Sequence, residues 1–169
     1  MSKIAVGPGL PDNIVDLDAT TADNLKALAD AKNRPIESLT ACILDRPRHA
    51  DLIAAVRETG AAVQLISDGD IAGVIWTTDT AQTGIDIYLG SGGAPEGVLA
   101  AAALRCIGGQ MQGRLLPENA DERTRAAKMG ADCDKKYTLH DMAAGDCIFS
   151  ATGVTSGSLL RGVQFRGPF

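Results

Sequence analysis

The feature that most constrains this chain is an alternation. Short runs of β-branched and aliphatic residues are separated by longer stretches in which apolar residues recur at helical spacing, the order expected of an α/β sheet covered by helices on both faces. The pattern predicts strands at Lys3–Val6, Thr40–Leu44, Ala62–Ile66, Gly84–Leu89 and Asp146–Ser150, with a weaker one at Met111–Leu116. Helices are expected at Ala22–Lys32, where Thr21 offers an N-cap oxygen, at His49–Thr59 before Gly60, at Pro95–Cys106, and at Asn119–Met129.

No period of 20 to 50 residues repeats and no low-complexity linker divides the chain, so residues 1–169 read as one α/β domain. Its 45% hydrophobic residues are enough to furnish a packed core. A formal net charge of −5 leaves no basic field for nucleic acid or an anionic membrane, so any phosphate site must be local. No run approaches the roughly 18 apolar residues of a membrane span. The expected location is cytoplasmic. Cys42, Cys106, Cys133 and Cys147 form no C-x-x-C pair, and with only His49 and His140 beside them they do not make a zinc framework. Reduced, mostly buried thiols are expected instead.

Three strand ends carry chemistry. After Thr40–Leu44 comes Arg46-Pro47-Arg48-His49. The C-terminal ends of strands open onto the ligand crevice of an α/β sheet, and forked guanidinium groups there suit phosphate oxygens, although a solvated charged turn would read the same. After Ala62–Ile66 comes Asp68-Gly69-Asp70, whose carboxylates can accept sugar hydroxyls or hold a hard cation. An Asp-Gly turn that caps the next helix is the plainer alternative.

After the fourth strand comes Gly90-Ser91-Gly92-Gly93-Ala94-Pro95-Glu96-Gly97, glycines at a turn and Pro95 at a helix start. Glu96 either complements the helix dipole or ligates a cation that bridges to phosphate. No Lys-Ser/Thr follows Gly97, and Pro95 stands where a dinucleotide fingerprint needs glycine, which argues against nucleotide binding. Trp76 reads as core or interface, and His140-Asp141 as a helix start.

Taken in order, Val6-Gly7-Pro8-Gly9, Ala22-Asp23-Asn24-Leu25, Arg46-Pro47-Arg48-His49, Asp68-Gly69-Asp70, Gly92-Gly93-Ala94-Pro95-Glu96-Gly97, Gly113-Arg114-Leu115 and Ile148-Phe149-Ser150-Ala151-Thr152-Gly153 resemble the C-terminal half of the class II fructose-1,6-bisphosphatases, some of which also act on sedoheptulose-1,7-bisphosphate. The resemblance implies the C-terminal domain of the lithium-sensitive sugar-phosphatase fold and hydrolysis of the 1-phosphate of a sugar bisphosphate. It also implies that Arg46, Pro47, Arg48, Asp68, Gly69, Asp70 and Gly93 bind the substrate, and that Glu96 ligates Mg²⁺ or Mn²⁺.

The family's remaining metal ligands, including a D-P-x-E-G-T type motif, belong to an N-terminal half that this sequence lacks. The resemblance also implies a substrate-contacting tyrosine just upstream of the position held by Met1 and a further segment beyond Val163–Gly167, both expected to be missing from this chain. The chain is therefore expected to work with that N-terminal half, in cis or in trans, or to self-associate. Alone it should bind sugar phosphate with little turnover.

Overall fold

A computed structural model describes residues 1–157, 159–165 and 167. Among the described residues, six strands form one mixed sheet. In chain order the elements are β1 (Ser2–Val6), α1 (Thr21–Lys32), β2 (Thr40–Leu44), α2 (Ala50–Glu58), β3 (Ala62–Ile66), α3 (Asp70–Trp76), α4 (Thr80–Thr83), β4 (Ile87–Ser91), α5 (Ala94–Ile107), β5 (Gln110–Arg114), α6 (Ala120–Lys128), β6 (Tyr137–Thr138) and α7 (Leu139–Met142).

The strands lie in the order β3-β2-β4-β1-β5-β6. β3, β2 and β4 are parallel, while β1 is antiparallel to both of its neighbours, β4 and β5. The C-terminal ends of β2, β3, β4 and β5 therefore share one edge with the start of β1. Ser2 sits opposite both Ser91 and Arg114.

Period-two alternation sorts the core into two layers. Ile4, Val6, Ala41, Ile43, Ile87 and Leu89 pack with Leu25 and Leu28 of α1 and Val56 of α2. On the other face Ala5, Cys42, Leu44 and Tyr88 pack with Val74 of α3, Ala100, Ala101 and Leu104 of α5, and Leu139 of α7. Helices thus cover both faces, as the alternation predicts.

Several boundaries depart from expectation. The N-cap of α1 is Thr20, not Thr21: its backbone is extended and its hydroxyl accepts the Asp23 N–H at 3.1 Å. A single 3₁₀ turn over Pro47–His49 delays α2 to Ala50. The fourth strand begins at Ile87 because Gly84 adopts a left-handed conformation that closes α4, and it runs on through Ser91.

No strand forms at Asp146–Ser150, although its apolar residues suggested one. Ile148 is 96% exposed there, and the two-residue β6 takes the place beside β5. Arg166, Pro168 and Phe169 lie outside the described residues, and Val163–Phe165 are not in a strand. The four thiols are free, two of them buried. Burial pushes the Cys42 thiol up to about 12, which keeps it unreactive. Among the described residues no helix is long and apolar enough to cross a membrane.

Candidate functional site

The three marked segments meet at the sheet edge formed by the C-terminal ends of β2, β3 and β4. The turn between β4 and α5, residues 91–96, is where they converge.

From the β2 side, Arg48 reaches across to Ser91. Its Nε donates to Ser91 Oγ at 3.0 Å and its Nη2 to the Ser91 carbonyl at 2.7 Å. Two of its five N–H groups are thereby fixed while the side chain stays exposed, which sets the orientation of the guanidinium at the strand end. His49 sits behind it, only 3% exposed. The Leu44 carbonyl, which can only accept, lies 2.8 Å from His49 Nδ1, so that nitrogen carries the proton. Nε2 then accepts the Ser91 N–H at 2.9 Å. His49 therefore ties the end of β2 to the end of β4. Arg46 is half-buried and donates to the Asp45 carbonyl at 2.8 Å, and Pro47 opens the 3₁₀ turn.

From the β3 side the two carboxylates part company. Asp68 is exposed, and its Oδ1 accepts the N–H of Gly69 at 2.8 Å. Gly69, at φ +83, is the N-cap residue of α3 and supplies the left-handed turn that begins it. Asp70 is buried, and its Oδ2 pairs with the ammonium of Lys3, itself 2% exposed. The two carboxylates expected to act together do not point the same way: Asp68 is exposed to solvent, while the Asp70 carboxylate is buried against Lys3. An Asp68 cap on α3 is not formed either.

Two glycines make the meeting possible. A Cβ on Gly92 would come within 2.8 Å of Asp70 Oδ2 and 3.2 Å of Lys3 Nζ, and one on Gly93 would fall 1.9 Å from Glu96 Oε2. Asp70 thus lies against Gly92 while the Glu96 carboxylate folds back over Gly93 at the start of α5. The amino group of Met1 donates to the Gly92 carbonyl at 2.8 Å. Its pKa is lowered, first by burial and then by the charges of Lys3 and Arg48. That local positive field stands inside an acidic chain.

Among the described residues no three His, Cys, Asp or Glu side chains come together as a metal site. Mg²⁺ seeks octahedral oxygen ligation. Glu96 supplies one carboxylate, and the neighbouring Asp70 is engaged by Lys3, so the residues present do not hold a divalent ion by themselves.

A hollow of about 280 Å³ adjoins Arg48, His49 and Ser91, with Asn24 and Leu52 on its wall. A larger one, about 640 Å³, lies at the opposite edge, near Leu10, Asp12, Gly108 and Gln112. The smaller lies at the C-terminal strand ends beside the Arg48 guanidinium, although Asp68, Asp70, Gly92, Gly93 and Glu96 are not on its wall. Arg105, the cation of the larger hollow, is tied to His140 and to the Gly145 carbonyl.

Lys3, His49 and Ser91 received no role from the sequence. A lysine at a core-facing position of a central strand was the available signal for Lys3, since Lys3 and Ala5 share a face by alternation.

Residues 1–168 match the family described as bacterial fructose-1,6-bisphosphatase, glpX-encoded. The chain is 40% identical to the D-fructose 1,6-bisphosphatase class 2/sedoheptulose 1,7-bisphosphatase of Synechocystis sp., over an alignment covering 98% of this chain and 51% of that protein. Proteins of the same description from Trichodesmium erythraeum and Microcystis aeruginosa are 39% identical with the same coverage. The chain thus spans about half the length of the curated relatives it matches.

Proposed function

Because the chain belongs to the family of bacterial, glpX-encoded fructose-1,6-bisphosphatases, we propose that it forms the sugar-phosphate-binding half of a metal-dependent phosphatase. The substrate in this reading is fructose-1,6-bisphosphate, with sedoheptulose-1,7-bisphosphate as the alternative, and the reaction releases inorganic phosphate from C1 in gluconeogenesis or the Calvin cycle. One observation carries it: Arg48, Asp68, Glu96 and the Gly92–Gly93 turn come from three strand ends to a single edge.

Each group has a part suited to its chemistry. The Arg48 fork, fixed by Ser91, grips phosphate oxygens bidentately, and Arg46 adds a second cation. The exposed Asp68 accepts protons from sugar hydroxyls. Gly93, lacking a side chain, lets the ligand approach the backbone. Glu96 gives Mg²⁺ or Mn²⁺ one oxygen from this chain, and the metal's chemistry is to neutralise phosphoryl charge and activate water.

The other ligands come, in this reading, from the companion half found in the longer relatives. The outward face of α5 supports such a partner. Val98 and Leu99, 42% and 50% exposed, follow Glu96 two and three residues on, and the exposed Cys106 lies two turns beyond Val98. A second copy of the chain could cover the same face. The four free thiols suit a reducing, cytoplasmic location.

A second reading is favoured by the lone carboxylate: taken by itself, the chain binds sugar phosphate without hydrolysing it. Calorimetric titration with fructose-1,6-bisphosphate and a phosphate-release assay with Mn²⁺ separate the two. We expect uptake with little release. Release that Glu96→Gln abolishes would show that the chain is an enzyme unaided, and an absence of uptake would end both readings.

A further inference from the structure

We propose that Lys3 is a positioning residue of the sugar-phosphate site, acting through Asp70 on the Gly92–Gly93 turn. The inference rests on the reading of that edge as the ligand site, and adds a residue to which no role has been given.

Lys3 joins the three elements that bound the turn. Its backbone lies in β1 opposite Gly90 of β4. Its ammonium pairs with Asp70, the first residue of α3. Its stem runs under the first turn of α5, where a Cβ added to Gly97 would stand 3.6 Å from Lys3 Cδ. Both members of the pair are almost wholly buried, so neither exchanges its partner for water. Gly92 lies directly against them, within the distances that exclude any side chain there. A shift of the pair is therefore felt by the backbone that carries Ser91 on one side and Glu96 on the other.

The pair also has an electrostatic consequence. An unpaired Asp70 carboxylate close to the Arg48 fork would repel a phosphate dianion. Lys3 cancels that charge and still leaves the carboxylate as the support beneath the turn. On this account Asp70 shapes the site from below, and contact with the sugar falls to Asp68 and the backbone of its loop.

Charge and position make opposite predictions for one substitution, and that decides the test. Asp70→Asn adds one net positive charge beside the anion site. If Lys3 and Asp70 mattered only through their field, fructose-1,6-bisphosphate would bind Asp70→Asn more tightly than the unaltered chain. If they hold the turn, it binds about tenfold more weakly, and Lys3→Met, which loses both the support and a positive charge, more weakly still.

The double variant Lys3→Met/Asp70→Asn removes the charges together and spares the fold an unpaired buried ion. It should recover to within about threefold of the original affinity. Calorimetry at a temperature where circular dichroism shows each protein folded gives these values. Amide resonances of Gly92 and Gly93, recorded without ligand, should move in each single variant and return toward their original positions in the double.

Tighter binding by Asp70→Asn would overturn the proposal. So would single variants that bind normally, or a double variant as weak as Asp70→Asn, which would mean that Asp70 touches the ligand. Should the unaltered chain bind no sugar phosphate, the functional reading fails by itself. The positioning claim would then be overturned by unmoved Gly92 and Gly93 amides, and supported by amides that move and return.

Discussion

Two buried aspartates stand at opposite ends of the same sheet, and each is paired with a lysine. Asp86, before β4, is 1% exposed and takes three donors: Lys32 Nζ at 2.6 Å, Arg34 Nη1 at 3.3 Å and the Thr40 N–H at 2.9 Å. It binds the end of α1 to the start of β2, and its partners all lie within the fold. Asp70, at the other end, has Lys3 on one side and a glycine turn on the other. The first arrangement closes an edge. The second supports a surface, which is why the two pairs should respond differently to the same kind of substitution.

The sharpest way to break the contrast is Asp86→Ala. Removing the acceptor shared by Lys32, Arg34 and the Thr40 N–H should cost about 3 kcal/mol of stability, read from urea or thermal unfolding, while sugar-bisphosphate affinity stays unchanged where the protein is folded. Arg48→Met should do the reverse. Loss of the charge-assisted contacts should weaken fructose-1,6-bisphosphate binding about 10- to 100-fold, with stability within about 0.5 kcal/mol of the original.

Gly92→Ala tests the closeness of the turn to its support: a methyl 2.8 Å from the Asp70 carboxylate should cost about 1–3 kcal/mol and weaken binding as well. If it proves neutral in both, the turn does not rest on the pair.

The smallest effect is expected in acid, at the exposed ion pairs of Asp16 and Asp18. Hydrogen bonds from Arg114 and Lys136 hold Asp18 at about 2, below its ordinary 3.8, and Asp16 is lowered first by its hydrogen bond from Lys136. A depressed folded-state value contributes stability that is complete above the ordinary value and fades as pH falls through the folded one. These groups are exposed, so the contribution is small and weakened by salt. Protection factors of amides in residues 14–20, taken against the intrinsic exchange rate at each pH, should fall between about pH 4 and pH 2 before the sheet opens.

Much of the fold was legible because period and punctuation agreed. The runs at Thr40–Leu44 and Ala62–Ile66 are strands with those limits, since β-branched residues and the following turns point the same way. Asp146–Ser150 misled for the opposite reason: an apolar run needs a sheet edge to pair with, and Tyr137–Thr138, too short to show a period, holds the one beside β5.

At the site, the motifs located the strand ends correctly, yet they could not say which carboxylate faces out. That depends on Lys3 reaching α3 across 67 residues of sequence, a pairing no local pattern encodes. His49 was hidden likewise, because its partner Ser91 is 42 residues away.

The most direct test of the account is an amide chemical-shift titration of the chain with fructose-1,6-bisphosphate. Saturable shifts should gather at residues 46–49, 68–70 and 91–97, with residues 84–86 silent. Shifts confined to residues 10–15 and 108–112, around the larger hollow at the other edge, would contradict it.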